Sequence, residues 1–436
     1  MRNIVLATLG SLGDLHPYLA IGKVLANHGD NVTIVTHSHY REIVEKAGFM
    51  FIPMRPGPED VGPEELWIKQ ANATFRGTEY VIRKLILPHL DDNYRVLMEA
   101  TVGCDLIISH TLTFAAPIVA QKRGIQWVSI VLQPSAFFSA FDPPTIGSLN
   151  FIFNNRLFGP SITRFIFRIA DFITKKWFIS VYELHTEAGL PLTNKNPLIS
   201  NFSPYKTLAL FPQFLAGSQP DWPDNVSQVG FPLFGDEETP DLSGSLLGFI
   251  SNGSAPIVFT LGSAIVQMES NFFVVAFQAV IRRGVRAVFL VGDKAQNVPP
   301  EAFENPDIFI SGYEPFSALF PLCSVIVHQC GIGTTAQAIS AGKPQILVPF
   351  AHDQPDNARR IKKLRIGVVI PARSLTVSNL SSAIKKVTEN GLFLIKARSF
   401  SRRLKMDNFS GNIIKALETF GKNNNHSQPE NHDVAV

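Results

Sequence analysis

VIVHQCGIGTTAQAISAGKPQILVPFAHDQPDNA, residues 325–358, holds one complete strand–helix–strand unit with its connecting loops. VIVH is a short β-branched run, HQCGIGTT interrupts it with two glycines, TAQAIS carries helix formers up to Gly342, and QILVPF leads into the polar loop HDQPDNA. The strands are continuously apolar and do not alternate. Burial on both faces marks a strand inside a parallel sheet, so the unit predicts an open α/β sheet covered by helices on both sides.

Working outward, the same rhythm recurs in both directions. The second half adds IVFTL at 257–261, RAVFLV at 286–291 and GVVI at 367–370, and the first half carries NIVLATL at 3–9, NVTIVT at 31–36, LIIS at 106–109, QWVSIVL at 126–132 and TLALF at 207–211. Between the first two of these, Leu15, Leu19, Ile21, Val24 and Leu25 recur at helical spacing and Gly29 closes the helix. Two doubly wound parallel sheets are therefore expected. PLFGDEETPDLSGS at 232–245 has the composition of a connector. It separates an expected first domain, residues 1–231, from a second, residues 246–420. Residues 421–436, GKNNNHSQPENHDVAV, hold nothing to bury and read as a disordered tail.

Composition narrows the class. A chain of 436 residues is too long for one core. With 45% hydrophobic and 17% charged residues it is not a disordered protein, and 39 basic against 36 acidic residues, a net charge of +3, argue against nucleic acid as partner. Cys104, Cys323 and Cys330 are too few and too scattered for a disulfide framework or a zinc cage, which suits a reducing cytoplasm. The opening run Ile4–Leu9 is broken by Gly10, Gly13 and Asp14, too early for a secretion signal or a membrane span. Residues 137–180 depart from the βα rhythm, with ten phenylalanines, Trp177, and five basic against two acidic residues. There Ile162, Phe165, Ile166, Ile169, Phe172 and Ile173 share one helical face, with Arg164, Arg168 and Lys175 elsewhere. A stripe at helical spacing is usually core, so a roof over a cleft is the first expectation. A helix resting on an anionic membrane, or receiving a greasy substrate, is the second.

In an open parallel sheet, ligands bind beyond the carboxyl ends of the strands. Three loops there carry unusual residues. In GSLGDLHP at 10–17, Gly10 and Gly13 permit a tight turn, Asp14 sits at or just before the helix start, and Pro17 suits a first turn. In HQCGIGTT at 328–335, Gly331 and Gly333 clear space, while Thr334 and Thr335 offer hydroxyls and amides at the positive end of a helix dipole, an arrangement suited to phosphate. Ser263, in TLGS at 260–263, ends the second domain's first strand in the equivalent place. In HDQPDNA, Asp353 and Gln354 match vicinal hydroxyls by accepting and donating together, with Asp356 and Asn357 beside them. Taken singly, these loops read equally well as a capped helix, a glycine-rich turn and a solvated loop.

In this order, GSLGDLHP, TLGS, HQCGIGTT and HDQPDNA resemble the family-1 nucleotide-sugar glycosyltransferases of the GT-B fold, the group that includes plant and animal UDP-glycosyltransferases, sterol glucosyltransferases, macrolide and glycopeptide glycosyltransferases and lipid rhamnosyltransferases. The resemblance runs from about residue 3 to about 370 and is densest from Gly312 to Ala358. It implies two Rossmann-like domains facing across a cleft, with acceptor in the first and a UDP- or dTDP-sugar in the second. The family's base-binding loop falls on GYEPF at 312–316, so Tyr313 would stack on the pyrimidine and backbone near Glu314 would read its edge. Gly331, Gly333, Thr334, Thr335 and Ser263 would cradle the diphosphate; Asp353, Gln354 and Asn357 would hold the sugar. Two positions depart from the pattern. Gln329 stands where many members have a phosphate-contacting His, with His328 one place earlier, and Gln337 stands where many use Glu on the ribose, which leaves UDP and dTDP both open.

The implied reaction is hexosyl transfer with inversion to the hydroxyl of a hydrophobic acceptor such as a sterol, lipid or polyketide. Asp14 aligns with the base and His110 with its supporting residue; His16 competes for the role of base. No metal and no cofactor are expected, since the helix N-terminus takes over the work of a divalent ion, and no acidic DxD pair occurs. A cytoplasmic chain, in peripheral contact with a membrane, is the corresponding location. A UDP-sugar 2-epimerase of the same fold and a non-catalytic nucleotide-sugar-binding protein are the competing readings. A nicotinamide dehydrogenase is the weakest, as the first loop lacks the third glycine of its fingerprint.

Overall fold

A computed structural model describes residues 1–62, 64–73, 76–145, 155–233, 241–262 and 270–423. Its first sheet contains β1 (Asn3–Ala7), β2 (Asn31–His37), β3 (Met50–Met54), β4 (Leu106–His110), β5 (Gln126–Val131), β6 (Lys206–Ala209) and β7 (Val226–Gln228), in the order β3-β2-β1-β4-β5-β6-β7. The second contains β8 (Ile257–Thr260), β9 (Ala287–Leu290), β10 (Ile308–Ser311), β11 (Val325–His328), β12 (Gln345–Leu347) and β13 (Gly367–Val369), in the order β10-β9-β8-β11-β12-β13. All pairings are parallel. Winding reverses between β1 and β4 and again between β8 and β11. A crevice opens where it reverses, because the flanking helices leave in opposite directions.

β3, β7 and β10 are absent from the sequence-based expectation. Each is the last or first strand of its sheet. MFIPM includes Pro53 and is largely solvent-facing, and VSQ has one apolar residue, so neither shows the continuous apolarity of a strand covered on both faces.

The expected second domain runs to residue 420, but its last helix, Phe409–Asn423, crosses back to the first. Ile413, Ala416 and Leu417 are buried in one cluster with Ile4, Leu19 and Leu208. The expected tail begins within this helix, and residues 424–436 lie outside the described residues. Of the connector, 234–240 lie outside them too, and the helix Gly244–Ser251 opens the second half.

The roof expected from residues 137–180 is corrected. Residues 146–154 lie outside the described residues, and the helix Asn155–Thr174, interrupted at Gly159 (φ 69°), turns the apolar stripe to solvent. It packs instead through Thr163 and Phe167, the latter against Phe138. Periodicity identified the shared face correctly but not what lies opposite it.

Candidate functional site

Asp14 follows β1 and His110 ends β4, neighbouring strands at the first winding reversal. The helix begins at Leu12 with Ser11 as its N-cap, so Asp14 is its third residue and not the cap expected, and Pro17 falls in the second turn. The Ser11 amide donates to Asp14 Oδ2 at 2.7 Å and the Ser11 hydroxyl to the same oxygen at 3.0 Å. Oδ1 faces His110 Nε2 at 3.8 Å. Burial lowers the His110 pKa, opposed by the Asp14 charge, and its Nδ1 has no hydrogen-bond partner among the described residues. His16 is half-buried, its pKa also lowered by burial. Two residues on from Asp14, it lies about 200° round the helix.

His37, which the sequence reading passed over, sets this loop. The Gly10 amide donates to its Nε2 at 2.9 Å, which leaves Nδ1 to donate to the Pro56 carbonyl at 2.6 Å. Burial holds it near a pKa of about 4, and so neutral. Gly10 has φ +136°, and a Cβ there would lie 2.3 Å from Asp14 Oδ2. The carboxylate lies directly over bare backbone. A polar residue ending a strand was the available signal for His37.

Across the cleft, β11 leads into the glycine loop and the helix Ile332–Ser340. His328 does not face the ligand space: it is wholly buried, accepts from the Cys330 amide at Nδ1 (3.1 Å) and donates from Nε2 to Gln345 Oε1 (3.0 Å). Burial lowers its pKa to about 4. The left-handed residue of the loop is Cys330 (φ 72°), not a glycine. Gly333 is required neither by φ nor by packing, since among the described residues nothing lies within 4 Å of where its Cβ would be; it leaves the space beside the helix start open. Thr335 also turns inward, its hydroxyl bonded to the Gly331 carbonyl at 2.8 Å, whereas Gly333 is exposed and Thr334 half-buried at the opening of the helix. Gln329 lies against the loop after β8, with its Nε2 2.3 Å from where a Cβ on Gly262 would be. Ser263 lies outside the described residues. Gln337 is half-buried one turn further along.

In the loop after β12, Gln354 Oε1 accepts from the Phe350 and Ala351 amides at 2.9 and 3.2 Å, so only its Nε2 remains for a ligand. Asn357 is fully buried and does not reach out to a sugar. Its Nδ2 donates to Asp353 Oδ2 (2.6 Å) and to the Cys330 carbonyl (3.1 Å), tying this loop to the glycine loop. Burial pushes the Asp353 pKa up to about 7; the Asn357 hydrogen bond opposes this, and the charge of Asp14 adds to it. His352, also missed, has φ 53° and contacts both the Ala71 carbonyl and the field of Asp14. Asp356 faces neither sugar nor solvent: with Arg359, Arg360 and Asp142 it makes an ion-pair network across the domains.

Tyr313 follows β10 and is 76% exposed, an open aromatic platform. The Glu314 side chain is committed elsewhere, accepting from the Ser243 hydroxyl at 2.6 Å and the Ser311 hydroxyl at 3.1 Å, so any ligand contact at this position falls to the backbone. Among the described residues no group of three or more His, Cys, Asp or Glu is placed to hold a metal ion, and no helix is long and apolar enough to cross a membrane.

Two family models match: the glycosyltransferase family 28 N-terminal domain over residues 4–102, and the erythromycin biosynthesis protein CIII-like C-terminal domain over residues 293–418. A sterol 3-beta-glucosyltransferase of Debaryomyces hansenii is 29% identical over 450 residues, covering 95% of this chain and 26% of its own length. The chain thus spans about a quarter of that relative. O-mycaminosyltylonolide 6-deoxyallosyltransferase of Streptomyces fradiae is 25% identical over 433 residues, covering 96% of this chain and 97% of its own. Among solved structures, spinosyn forosaminyltransferase SpnP superposes with a TM-score of 0.69 at 14% identity, covering 96% and 98% of the two chains. Spinosyn rhamnosyltransferase SpnG, solved with thymidine diphosphate, gives 0.64 at 17% identity, covering 96% and 100%. The two solved structures share the fold of this chain.

Proposed function

Because the chain belongs to the nucleotide-sugar glycosyltransferases of the GT-B fold, we propose that it transfers a hexosyl group from a UDP- or dTDP-sugar to the hydroxyl of a hydrophobic acceptor, with inversion at the anomeric carbon. One observation carries this reading. Asp14 stands after β1 of the first sheet with its free Oδ1 3.8 Å from His110 Nε2, and the glycine loop that opens Ile332–Ser340 stands in the second, so a base and an anion site sit one on each half.

The acceptor hydroxyl gives its proton to Asp14 Oδ1, the oxygen not occupied by Ser11. As the new bond to the anomeric carbon forms, the bond to the β-phosphate oxygen breaks, and the diphosphate leaves with its negative charge at the N-terminus of Ile332–Ser340. His110 orients the carboxylate or shares its proton; His16 is the competing base. Asp353 accepts from sugar hydroxyls and Gln354 Nε2 donates to one. Tyr313 stacks on the base, with Gln337 toward the ribose. On this reading neither metal nor cofactor is needed, because amides and helix dipole neutralise the leaving group.

The relatives' names support the acceptor class: one names a sterol, another O-mycaminosyltylonolide. Both are greasy alcohols. Thymidine diphosphate bound to SpnG supports dTDP as one donor base, and a cytoplasmic chain touching a membrane surface fits an acceptor held in lipid. Incubation with UDP-glucose or dTDP-rhamnose and a sterol or lipid alcohol tests the proposal. Nucleotide release that depends on acceptor is expected; release without it would indicate epimerisation or hydrolysis, and no release would indicate a binding protein. Asp14→Asn should lower turnover at least about a hundredfold with donor binding retained.

A further inference from the structure

We propose that the outer face of the helix Asn155–Thr174 is a docking surface for an anionic lipid bilayer. This rests on the membrane-contact reading above and names the surface and its lipid. Ile162, Phe165, Ile169, Phe172 and Ile173 are between 46% and 69% exposed, and Ile179 in the next segment is 56% exposed. At about 100° per residue, the five on the helix fall within an arc of about 120°. This row of large side chains faces water in a helix that already packs through its other side, at Thr163 and Phe167. Contiguous exposure of this kind marks an interaction site.

Charge selects the occupant. Arg164, Arg168 and Lys175 run along one border of the stripe and Lys176 sits at its end, against Asp171 as the one acid between Pro160 and Ser180. Among the described residues none of these four cations is paired with a carboxylate: Arg164 lies over the Phe141 ring at 5.0 Å and Lys176 over Phe172 at 5.5 Å. A second copy related by a two-fold axis would bring the same cations against each other, which disfavours self-association. A bilayer with anionic headgroups takes the apolar row into its acyl boundary and the cations into its headgroups.

The position is apt for the proposed chemistry. Phe167 packs on Phe138 and Arg164 on Phe141, both in the loop after β5 whose Asp142 bonds to Arg359 and Arg360 of the other domain. The docking face therefore stands on the wall of the interdomain cleft, where a lipid-dissolved alcohol would enter.

Sedimentation of the full chain with vesicles tests this, using phosphatidylcholine alone and an equimolar mixture with phosphatidylglycerol. Binding is expected on the mixed vesicles, weakening with salt. Phe165→Glu with Phe172→Glu should reduce partitioning at least about tenfold, and Arg168→Gln by about fivefold. Transfer to a water-soluble acceptor should remain unchanged in these variants, with an unaltered melting temperature. Absence of binding to either vesicle, or binding unaffected by the double change, would overturn the proposal. So would a concentration-dependent dimer dissolved by that change, which would assign the face to a second copy. If vesicle binding holds while no donor yields transfer, the transferase reading falls and the docking surface stands.

Discussion

Asp353 is a carboxyl whose protonation straddles neutrality. With its pKa raised to about 7 by burial, it retains its proton in the folded state over a range in which the unfolded chain has lost it. Folded-state stability from this group is therefore full below its unfolded value and declines as pH rises toward 7. Donor recognition has the opposite sign, since only the ionised form accepts from two sugar hydroxyls. The expected outcome is a kcat/KM for donor that climbs with pH and levels off above about 7. In Asp353→Asn that limb should be gone; its persistence would assign it to another group. Gly10 offers a second test at this scale. Its left-handed φ and the Asp14 oxygen over it both exclude a side chain, so Gly10→Ala should cost about 1–3 kcal/mol and displace the carboxylate, read as a lowered urea midpoint together with lost turnover.

The helix Ile332–Ser340 works by what its first turn leaves empty. Gly333 has a negative φ and faces open space, so Gly333→Val should fold as well as the parent or slightly better, because valine is a better helix former than glycine. Its side chain would occupy the room for phosphate, and donor KM should rise at least about tenfold, checked by titration with donor alone and by melting. A stable variant with normal donor affinity would remove the phosphate role. Elements of this sort were legible from residue types, since Asp14 and the glycine loop stand at strand ends where ligands gather; His110 entered only through the family resemblance. Side-chain facing was not legible. His328 and Thr335 carry the right chemistry, yet one is a strut between the Cys330 amide and Gln345 and the other donates back to the Gly331 carbonyl at the start of its own helix, outcomes decided by strand pairing and helix phase. The edge strands β3 and β7 were missed for a related reason: with one neighbour each, they have no need of a run of buried residues, whereas β13, also an edge, was found because its residues are apolar.

At the scale of the molecule, two halves with separate sheets are held in register by contacts across the cleft. Asp142 from the first accepts from Arg359 at 2.9 Å and Arg360 at 2.5 Å, while the Thr145 amide donates to Asp356 at 3.2 Å. Burial alone would push the Asp142 carboxyl up, but the two guanidiniums hold it below the ordinary range. Both guanidiniums keep Asp356, so Asp142→Ala removes only the arm of the network that crosses the cleft and should cost about 2 kcal/mol in urea unfolding. It should also raise the radius of gyration in solution scattering, since the clasp is what restrains opening. Unchanged scattering would show that the apolar contacts beneath suffice.

The returning helix Phe409–Asn423 adds a constraint of a different kind. Because Ile413 and Leu417 complete the hydrophobic interior around Leu19 and Leu208, a nascent chain leaving the ribosome cannot finish its amino-terminal half until this segment has emerged. That half must wait, partly wet, through the synthesis of its neighbour. Cutting the gene at the connector would accordingly leave the amino-terminal fragment short of part of its interior, in place of an independent module.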